Sequence, residues 1–269
     1  MTSIETDSCE GDLRTPYYNA HDAVYHDCLH HILTKGRLKA DRTGTGTIST
    51  FGYQMRFDLS DGTVPVLTTK KIYLHAVVHE LLWFIQGSGN IEYLKTQNAD
   101  GDLGPVYGVQ WRHLAAMDGS EIDQLAQLIE LIKRDPDSRR LIVDSWTVDK
   151  ISQMALPPCH MMWQMWCIDD TLSMQLYIRS SDAFLGLPFN IAQYGTFLHM
   201  IAQACELGVG ELIITIGDLH IYTNHLDQVK TQLARSSYGE PPAIYLNSDI
   251  TNIDDFAFDD IIIVGYESH

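Results

Sequence analysis

The chain has 269 residues, 45% of them hydrophobic, and its 18 basic and 35 acidic side chains give a formal net charge of −17. So acidic a surface repels nucleic acid and anionic membranes, and we expect neither as a partner. No apolar run is long enough to cross a membrane, and no signal peptide opens the chain. Five cysteines without a CxxC pair indicate a reducing, cytoplasmic compartment and no metal site.

The chain is predicted to fold as one domain over residues 21–269, because no low-complexity or charged linker separates its motifs. Residues 1–20 contain four acidic side chains and one arginine. We interpret them as an acidic, flexible N-terminal tail.

The first predicted helix covers residues 21–35, where apolar side chains recur on one face. A polar, glycine-bearing loop follows at 41–47, in which Arg42 supplies the charge that an anion needs. Alternating apolar residues predict a strand at 48–59. A strongly apolar run then predicts a helix at 73–85.

The second half of the chain continues this mixture of helices and strands. An amphipathic helix is predicted over 120–134, with Ser120 as its cap, and Pro136 ends it. The remaining predicted elements are a strand at 141–147, a helix at 189–205, a strand at 212–216, a helix at 224–235 and a strand at 261–264.

A hairpin around Cys159 organises the chemistry. Pro157 and Pro158 stiffen the entry to a strand that runs to Cys167, and a turn leads to a second strand at 172–178. The second strand ends in Arg-Ser-Ser-Asp at 179–182, so a thiol meets a guanidinium, which favours the nucleophilic thiolate. The alternative for a lone cysteine is a small buried hydrophobe.

Eight ordered motifs between His26 and Tyr266 resemble the thymidylate synthase family. They are DRTGTGT (41–47), HELLWFIQG (79–87), GDLGPVYGVQWR (101–112), DPDSRR (135–140), PPCH (157–160), YIRSSD (177–182), FLGLPFN (184–190) and GDLHIYTNH (217–225). The resemblance implies an α+β (α/β) fold with a twisted mixed β-sheet, helices packed on one face and a sheet-to-sheet homodimer. It also implies 5,10-methylenetetrahydrofolate as co-substrate.

The resemblance assigns chemical roles to four residues. Cys159 is expected to attack C6 of a uracil ring, and Glu80 and Tyr107 to handle protons. Asn190 is expected to read the 4-oxo and N3–H edge, and because relatives that act on cytosine have aspartate there, it favours uracil. Without the resemblance, Glu80 is a helix-surface carboxylate, Tyr107 a core residue and Asn190 a helix cap.

Further binding residues follow from the same resemblance. The phosphate is expected to contact Arg42, Arg179 and Ser180, together with Arg139 and Arg140 of the partner subunit. His220 and Tyr222 are expected at the sugar 3′-hydroxyl. The other expected nucleotide contacts are His160, Gln175, Ser181 and Asp182. The expected folate contacts are Lys70, Asp182, Leu185, Gly186 and Phe189.

Three departures from the family pattern bear on the product. Residues 90–100 form a short segment without tryptophan, the family's hydrophobic C-terminal tail is not found after Tyr266, and Ile178 stands where glutamine is common. The first two departures remove parts of the lid that excludes water from the active site in the family. We therefore expect conversion of dUMP to 5-hydroxymethyl-dUMP. The alternatives are thymidylate synthesis, a ribonucleotide substrate, cytidylate (CMP or dCMP) hydroxymethylation and a non-enzymatic binding protein.

Overall fold

The computed structural model describes residues 16–94 and 103–269, and its centre is a mixed β-sheet. The strands of this sheet lie in the order β1-β2-β8-β7-β6-β5. All neighbours are antiparallel except β7 and β8, which are parallel. The strands are β1 (Arg37–Lys39), β2 (Thr47–Asp58), β3 (Leu114–Ala115), β4 (Glu121–Ile122), β5 (Ile142–Asp144), β6 (His160–Ile168), β7 (Thr171–Asp182), β8 (Gly208–Tyr222), β9 (Ala243–Leu246) and β10 (Ile261–Val264).

The helices complete an α+β architecture, as expected from the sequence. They are α1 (Ala20–Lys35), α2 (Leu74–Ile85), α3 (Tyr107–Arg112), α4 (Gln124–Arg134), α5 (Leu187–Ala204) and α6 (Leu226–Leu233). Single 3₁₀ turns lie at Ile91–Leu94, Ile151–Gln153, Thr223–His225, Ile253–Asp255 and Phe258–Asp260. Two small antiparallel pairs, β3 with β4 and β9 with β10, lie outside the main sheet.

The predicted hairpin is confirmed as β6 and β7. Ile168 pairs with Thr171 across a two-residue turn, and Asp169 and Asp170 both have positive φ, 47° and 56°. Two consecutive positive φ values are typical of the tight hairpin turn whose twist matches that of its strands. The turn therefore fixes the register that carries Cys159 toward Arg179.

The core lies between one face of the sheet and α5. Nearly every side chain of α5 is buried, and Phe197 stacks on Trp111 with ring centroids 5.3 Å apart. A Cβ on Gly195 would lie 2.4 Å from the ring of Pro65, so a glycine is required for this close approach. The core thereby holds α5, which carries Asn190, in a fixed position over the sheet.

The opposite face of the sheet lacks such a cover in the described residues. Trp166 on β6 is 59% exposed and Phe51 on β2 is 86% exposed, and Ile168 and Ile142 add further apolar area. A large exposed apolar area is typical of a surface that meets another protein.

Several predicted boundaries are wrong. The amphipathic helix begins at Gln124 rather than Ser120, because Asp123 accepts a hydrogen bond from the Ala126 N–H and caps it. The strand predicted at 141–147 is limited to β5, and the strand predicted at 212–216 is the centre of the much longer β8. The helix predicted at 224–235 is interrupted by a 3₁₀ turn and ends at Leu233.

The last five residues of the expected tail, 16–20, lead into α1 and contact the rest of the chain. Asn19 caps α1, and the backbone N–H of Tyr17 and of Asn19 donate to Ser236 and Ser237. The hydroxyl of Tyr18 donates to the Leu233 carbonyl at 2.5 Å. The rest of the predicted tail, residues 1–15, lies outside the described residues.

Candidate active site

A cavity of about 780 Å³ opens between the ends of β6, β7 and β8 and the helices α2 and α3. It contains nine of the residues for which the sequence predicted a role: Arg42, Glu80, Tyr107, Cys159, Arg179, Ser180, Asp182, His220 and Tyr222. These residues come from six separate stretches of the chain. The fold therefore assembles the predicted chemistry in one place.

Cys159 lies in the wall of this cavity, immediately before β6. The guanidinium of Arg179 donates to the carbonyls of Pro157 and Pro158, both at 2.9 Å, and its Nη2 lies 3.7 Å from the Cys159 Sγ. The two prolines thus hold the arginine as well as stiffening the strand entry. Arg179 therefore places a fixed positive charge beside the sulfur that would act as the nucleophile.

A stack of Tyr107 on His160 supports the cysteine from behind. The backbone N–H of Cys159 donates to the Tyr107 hydroxyl at 2.9 Å, and the two rings lie 4.6 Å apart and nearly parallel. Burial lowers the pKa of His160 to about 4, opposed by a hydrogen bond with the side chain of Asn190, so the imidazole is neutral at pH 7. Burial raises the pKa of Tyr107, and the neighbouring Cys159 adds to that effect.

Glu80 on α2 is a carboxylate in a largely apolar wall. Its Oε2 accepts a hydrogen bond from the Gln193 Nε2 at 2.9 Å. Burial raises its pKa, and this hydrogen bond opposes the rise. A carboxyl group whose pKa is moved toward neutrality is suited to proton transfer.

His220 and Tyr222 line the cavity at the end of β8. The Nδ1 of His220 contacts the Asp218 carboxylate at 3.0 Å, and Asp218 also accepts from Ser49 at 2.9 Å and from Lys39. Burial alone would raise the pKa of Asp218, but the hydrogen bonds from Lys39, Ser49 and His220 bring it below its ordinary value. Asp218 therefore fixes the ring of His220.

The loop that carries Arg42 is folded around Asp41. The Asp41 carboxylate accepts from the backbone N–H of Thr43 at 2.9 Å and of Gly46 at 2.8 Å. A smaller cavity of about 200 Å³ next to the main one is lined by Lys39, Arg42 and Ser180. Asp41 and Asp218 line the same space and Lys39 is paired with Asp218, so Arg42 and Ser180 are the groups there that suit an anionic group such as a phosphate.

A second large cavity, of about 480 Å³, lies beyond Glu80, which also belongs to the first. Besides Glu80, three of its lining residues were predicted from the sequence: Gly186, Phe189 and Asn190. The other polar lining residues are His75, His79 and Tyr93, which the sequence analysis did not single out. The spacing of His75 and His79 by four residues was visible in the sequence. The contribution of Tyr93, which comes from a separate turn, was not.

Some predicted residues lie away from both large cavities. Gln175 is exposed on the open face of β7, paired with Gln164, and Arg139 and Arg140 are exposed before β5. Ser181 and His160 are buried beneath the site, and Leu185 is exposed beside it. Lys70 contacts Phe184 at a separate pocket, where burial lowers its pKa to about 8.

Within 16–94 and 103–269 no three or more His, Cys, Asp or Glu side chains are grouped so that together they could hold a metal ion. No helix in that same part of the chain is long and apolar enough to cross a membrane.

The family model for thymidylate synthase matches residues 23–269. The match covers nearly the whole chain, and the chain belongs to the thymidylate synthase family. Membership supports folate-dependent one-carbon transfer to a uracil nucleotide, with methylenetetrahydrofolate as co-substrate.

Proposed function

We propose that this protein converts dUMP to 5-hydroxymethyl-dUMP, using methylenetetrahydrofolate as the one-carbon donor. The observation that carries the covalent chemistry is the contact between the Cys159 Sγ and the Arg179 guanidinium, inside a cavity of about 780 Å³. The cavity suits a nucleotide in size and in the polar groups it presents.

Cys159 acts as the nucleophile at C6 of the uracil ring. The sulfur forms a bond to C6, and the electron pair of the C5–C6 bond moves toward O4, leaving C5 as a nucleophile for the one-carbon unit. Asn190, hydrogen-bonded to the neutral His160, contacts the 4-oxo and N3–H edge. An amide presents both a donor and an acceptor, which uracil requires at this edge.

Glu80 and Tyr107 manage the C5 proton. Both line the cavity beside Cys159, and burial raises the pKa of each. Removal of that proton and departure of the folate amine leave an exocyclic methylene at C5, still linked to Cys159 through C6. Asp182, Gly186 and Phe189 contact the folate, with Lys70 and Leu185 at its outer part.

The nucleotide phosphate is held by Arg42, Arg179 and Ser180, while His220 and Tyr222 bind the 3′-hydroxyl. The phosphate also receives Arg139 and Arg140 of the partner subunit. A homodimer that covers the exposed apolar face of the sheet supports this arrangement, because both arginines lie exposed beside its edge strand, β5. This dimer makes each site dependent on two subunits.

Water, rather than hydride, completes the reaction. The segment 88–102 has no tryptophan to cover the intermediate. The cavity beyond Glu80 is lined by His75, His79 and Tyr93, which bind water better than an apolar cover would. Water adds to the methylene carbon, its proton passes to a base, and the enolate expels the Cys159 thiolate.

The second candidate is thymidylate synthesis, in which hydride from the folate gives a methyl group and dihydrofolate. It is favoured by the complete catalytic set, since the steps through Cys159, Glu80, Tyr107 and Asn190 are shared. Cytidylate hydroxymethylation is a lesser candidate, which the amide of Asn190 disfavours. Either activity fits a reducing cytoplasm, because the described cysteines 28, 159, 167 and 205 are free thiols.

The deciding experiment is the mass of the nucleotide product after incubation with dUMP and methylenetetrahydrofolate, while absorbance reports dihydrofolate. A hydroxymethyl product without dihydrofolate supports the proposal, and a methyl product with equimolar dihydrofolate replaces it with thymidylate synthesis. Cys159→Ala is the matched control, and it should bind dUMP without turnover. Turnover by that variant would exclude the covalent route.

A further inference from the structure

Two histidines on α2 point their imidazoles at one another in the cavity beyond Glu80. His75 and His79 are one helical turn apart, and their Nε2 atoms are 3.1 Å apart. Residues at i and i+4 share one face of a helix, so both rings project into the same space. The steps proposed above for Cys159, Glu80, Tyr107 and Asn190 use neither of them, and they enter that proposal only as polar lining of the cavity that admits water.

Both rings are held in this orientation by residues from other parts of the chain. Phe258 stacks on His79 with centroids 4.6 Å apart and an interplanar angle of 7°, and its centroid lies 4.9 Å from that of His75. The Tyr93 hydroxyl lies 3.0 Å from the His79 Nδ1. A hydrogen-bond partner on the second ring nitrogen is what fixes the tautomer of a metal-binding histidine.

We propose that this pair, through both Nε2 atoms, binds a divalent transition-metal ion of the Zn²⁺ class. An ion about 2.05 Å from each nitrogen would subtend an N–metal–N angle of about 98° for the observed separation. That angle lies between the ideal square-planar and tetrahedral values, both of which imidazole ligands support. The described residues supply two ligands, and water molecules occupy the remaining coordination positions.

A metal ion can bind both Nε2 atoms while both imidazole rings stay uncharged. In the metal-free pair one Nε2–H donates to the other Nε2, so one nitrogen must lose its hydrogen when an ion enters. That hydrogen moves to Nδ1 of the same ring by exchange with solvent. Nδ1–H of His79 then donates to the Tyr93 hydroxyl, while His75, which is exposed, donates to water. Both imidazoles remain neutral ligands.

A bound ion would obstruct the folate side of the active site. The same cavity is lined by Glu80, Phe189 and Asn190. This consequence, unlike metal binding itself, rests on the proposed function. The ion is therefore an inhibitor of the folate-dependent step, and it leaves nucleotide binding in the first cavity unchanged.

The test is a Zn²⁺ titration against a chromophoric chelator, with tag-free protein in a Cys159→Ala background so that the reactive thiol does not contribute. His75→Ala and His79→Gln should each weaken the tightest site at least about tenfold, and Tyr93→Phe about tenfold through the lost support of His79. His30→Ala, which removes an exposed histidine from α1, should have no effect. Equal affinity in the parent and in the His75→Ala/His79→Gln double variant would overturn the proposal, as would dependence on only one of the two histidines.

Inhibition is measured separately, with the protein that retains Cys159. Zn²⁺ should lower the rate of C5 proton release in the parent and spare the His75→Ala variant, while the affinity for dUMP stays the same. If the parent binds zinc but the His75→Ala variant is inhibited as strongly as the parent, then the inhibitory role is wrong and the metal site stands. Absence of any turnover would reject the proposed function, and the titration would still decide on the metal.

Discussion

The Nη2 of Arg179 lies 3.7 Å from the Sγ of Cys159, and the same guanidinium is fixed by the carbonyls of Pro157 and Pro158. The residues that lead into β6 hold Arg179, and Arg179 contacts the Cys159 sulfur. The positive charge near this sulfur therefore comes from the same hairpin. No group from a distant part of the chain is needed to place this cation.

The first prediction concerns the reactivity of Cys159. Arg179→Ala should slow its alkylation by iodoacetamide at pH 7 several-fold, because the substitution removes the positive charge 3.7 Å from the reacting sulfur. The rate is measured by mass spectrometry of the peptide that contains Cys159. Arg56→Ala, which removes an exposed arginine paired with Glu211, is the control. An unchanged rate in Arg179→Ala would show that the cation does not activate the thiol.

The second prediction concerns the catalytic and energetic effects of Glu80. Glu80→Gln should reduce turnover by roughly 100- to 10,000-fold, as expected for loss of a general acid or base, and leave dUMP affinity nearly unchanged. The amide carbonyl of the substituted side chain can still accept from Gln193, so the local packing is preserved. A variant with normal turnover would remove Glu80 from the proton pathway.

The same substitution should stabilise the fold at high pH. Burial raises the folded-state pKa of Glu80, so the wild-type protein loses stability as pH rises from the ordinary glutamate value through the raised one. Glutamine carries no charge at any pH. The gain in unfolding free energy should therefore be near zero at pH 4 and positive at pH 8, as measured by urea denaturation of both proteins at each pH.

The main features of the fold were predictable where the pattern is local. Strand-like runs on either side of the Asp169-Asp170 turn indicated the hairpin, and the strongly apolar run at 73–85 indicated α2. The full length of β8 was not predicted, because glycines interrupt its pattern and its pairing with β7 is parallel and long-range. Pairing with a neighbouring strand, which the local sequence does not encode, extends β8 from Gly208 to Tyr222.

The candidate site likewise has a part that could be predicted from the sequence and a part that could not. Family motifs predicted the residues around Cys159, and the structure brings nine of them into one cavity. The pair of His75 and His79 was visible as a spacing of four. Its convergence depends on Tyr93, which comes from the turn after α2, and on Phe258, which comes from near the end of the chain. A sequence motif indicates the chemistry of the residues within it. Contacts between residues from separate segments form only when the chain is folded.

The third prediction concerns acid stability. Burial lowers the pKa of His26 to about 4, against small opposing effects of nearby aspartates. This histidine therefore contributes stability above pH 6.5 that is lost as pH falls toward 4, up to about 3 kcal/mol. His26→Gln should reduce the loss of unfolding free energy between pH 7 and pH 4.5. Urea denaturation of the wild-type protein and of His26→Gln at each pH measures this difference, and equal curves for the two proteins would contradict the prediction.

The last prediction concerns recognition of the base by Asn190. Its side chain is hydrogen-bonded to the buried His160, so it presents a fixed amide to the cavity. Asn190→Asp replaces the amide donor with a carboxylate, which accepts from the 4-amino group of cytosine and repels the 4-oxo group of uracil. The ratio of kcat/KM for dCMP to that for dUMP should rise at least about 100-fold, because a mismatched buried hydrogen bond discriminates strongly. Asn190→Ala, which removes both donor and acceptor, should weaken both substrates without reversing their order. If Asn190→Asp keeps the original preference for uracil, then the base is read by other groups, and the neutral His160 becomes the first to test.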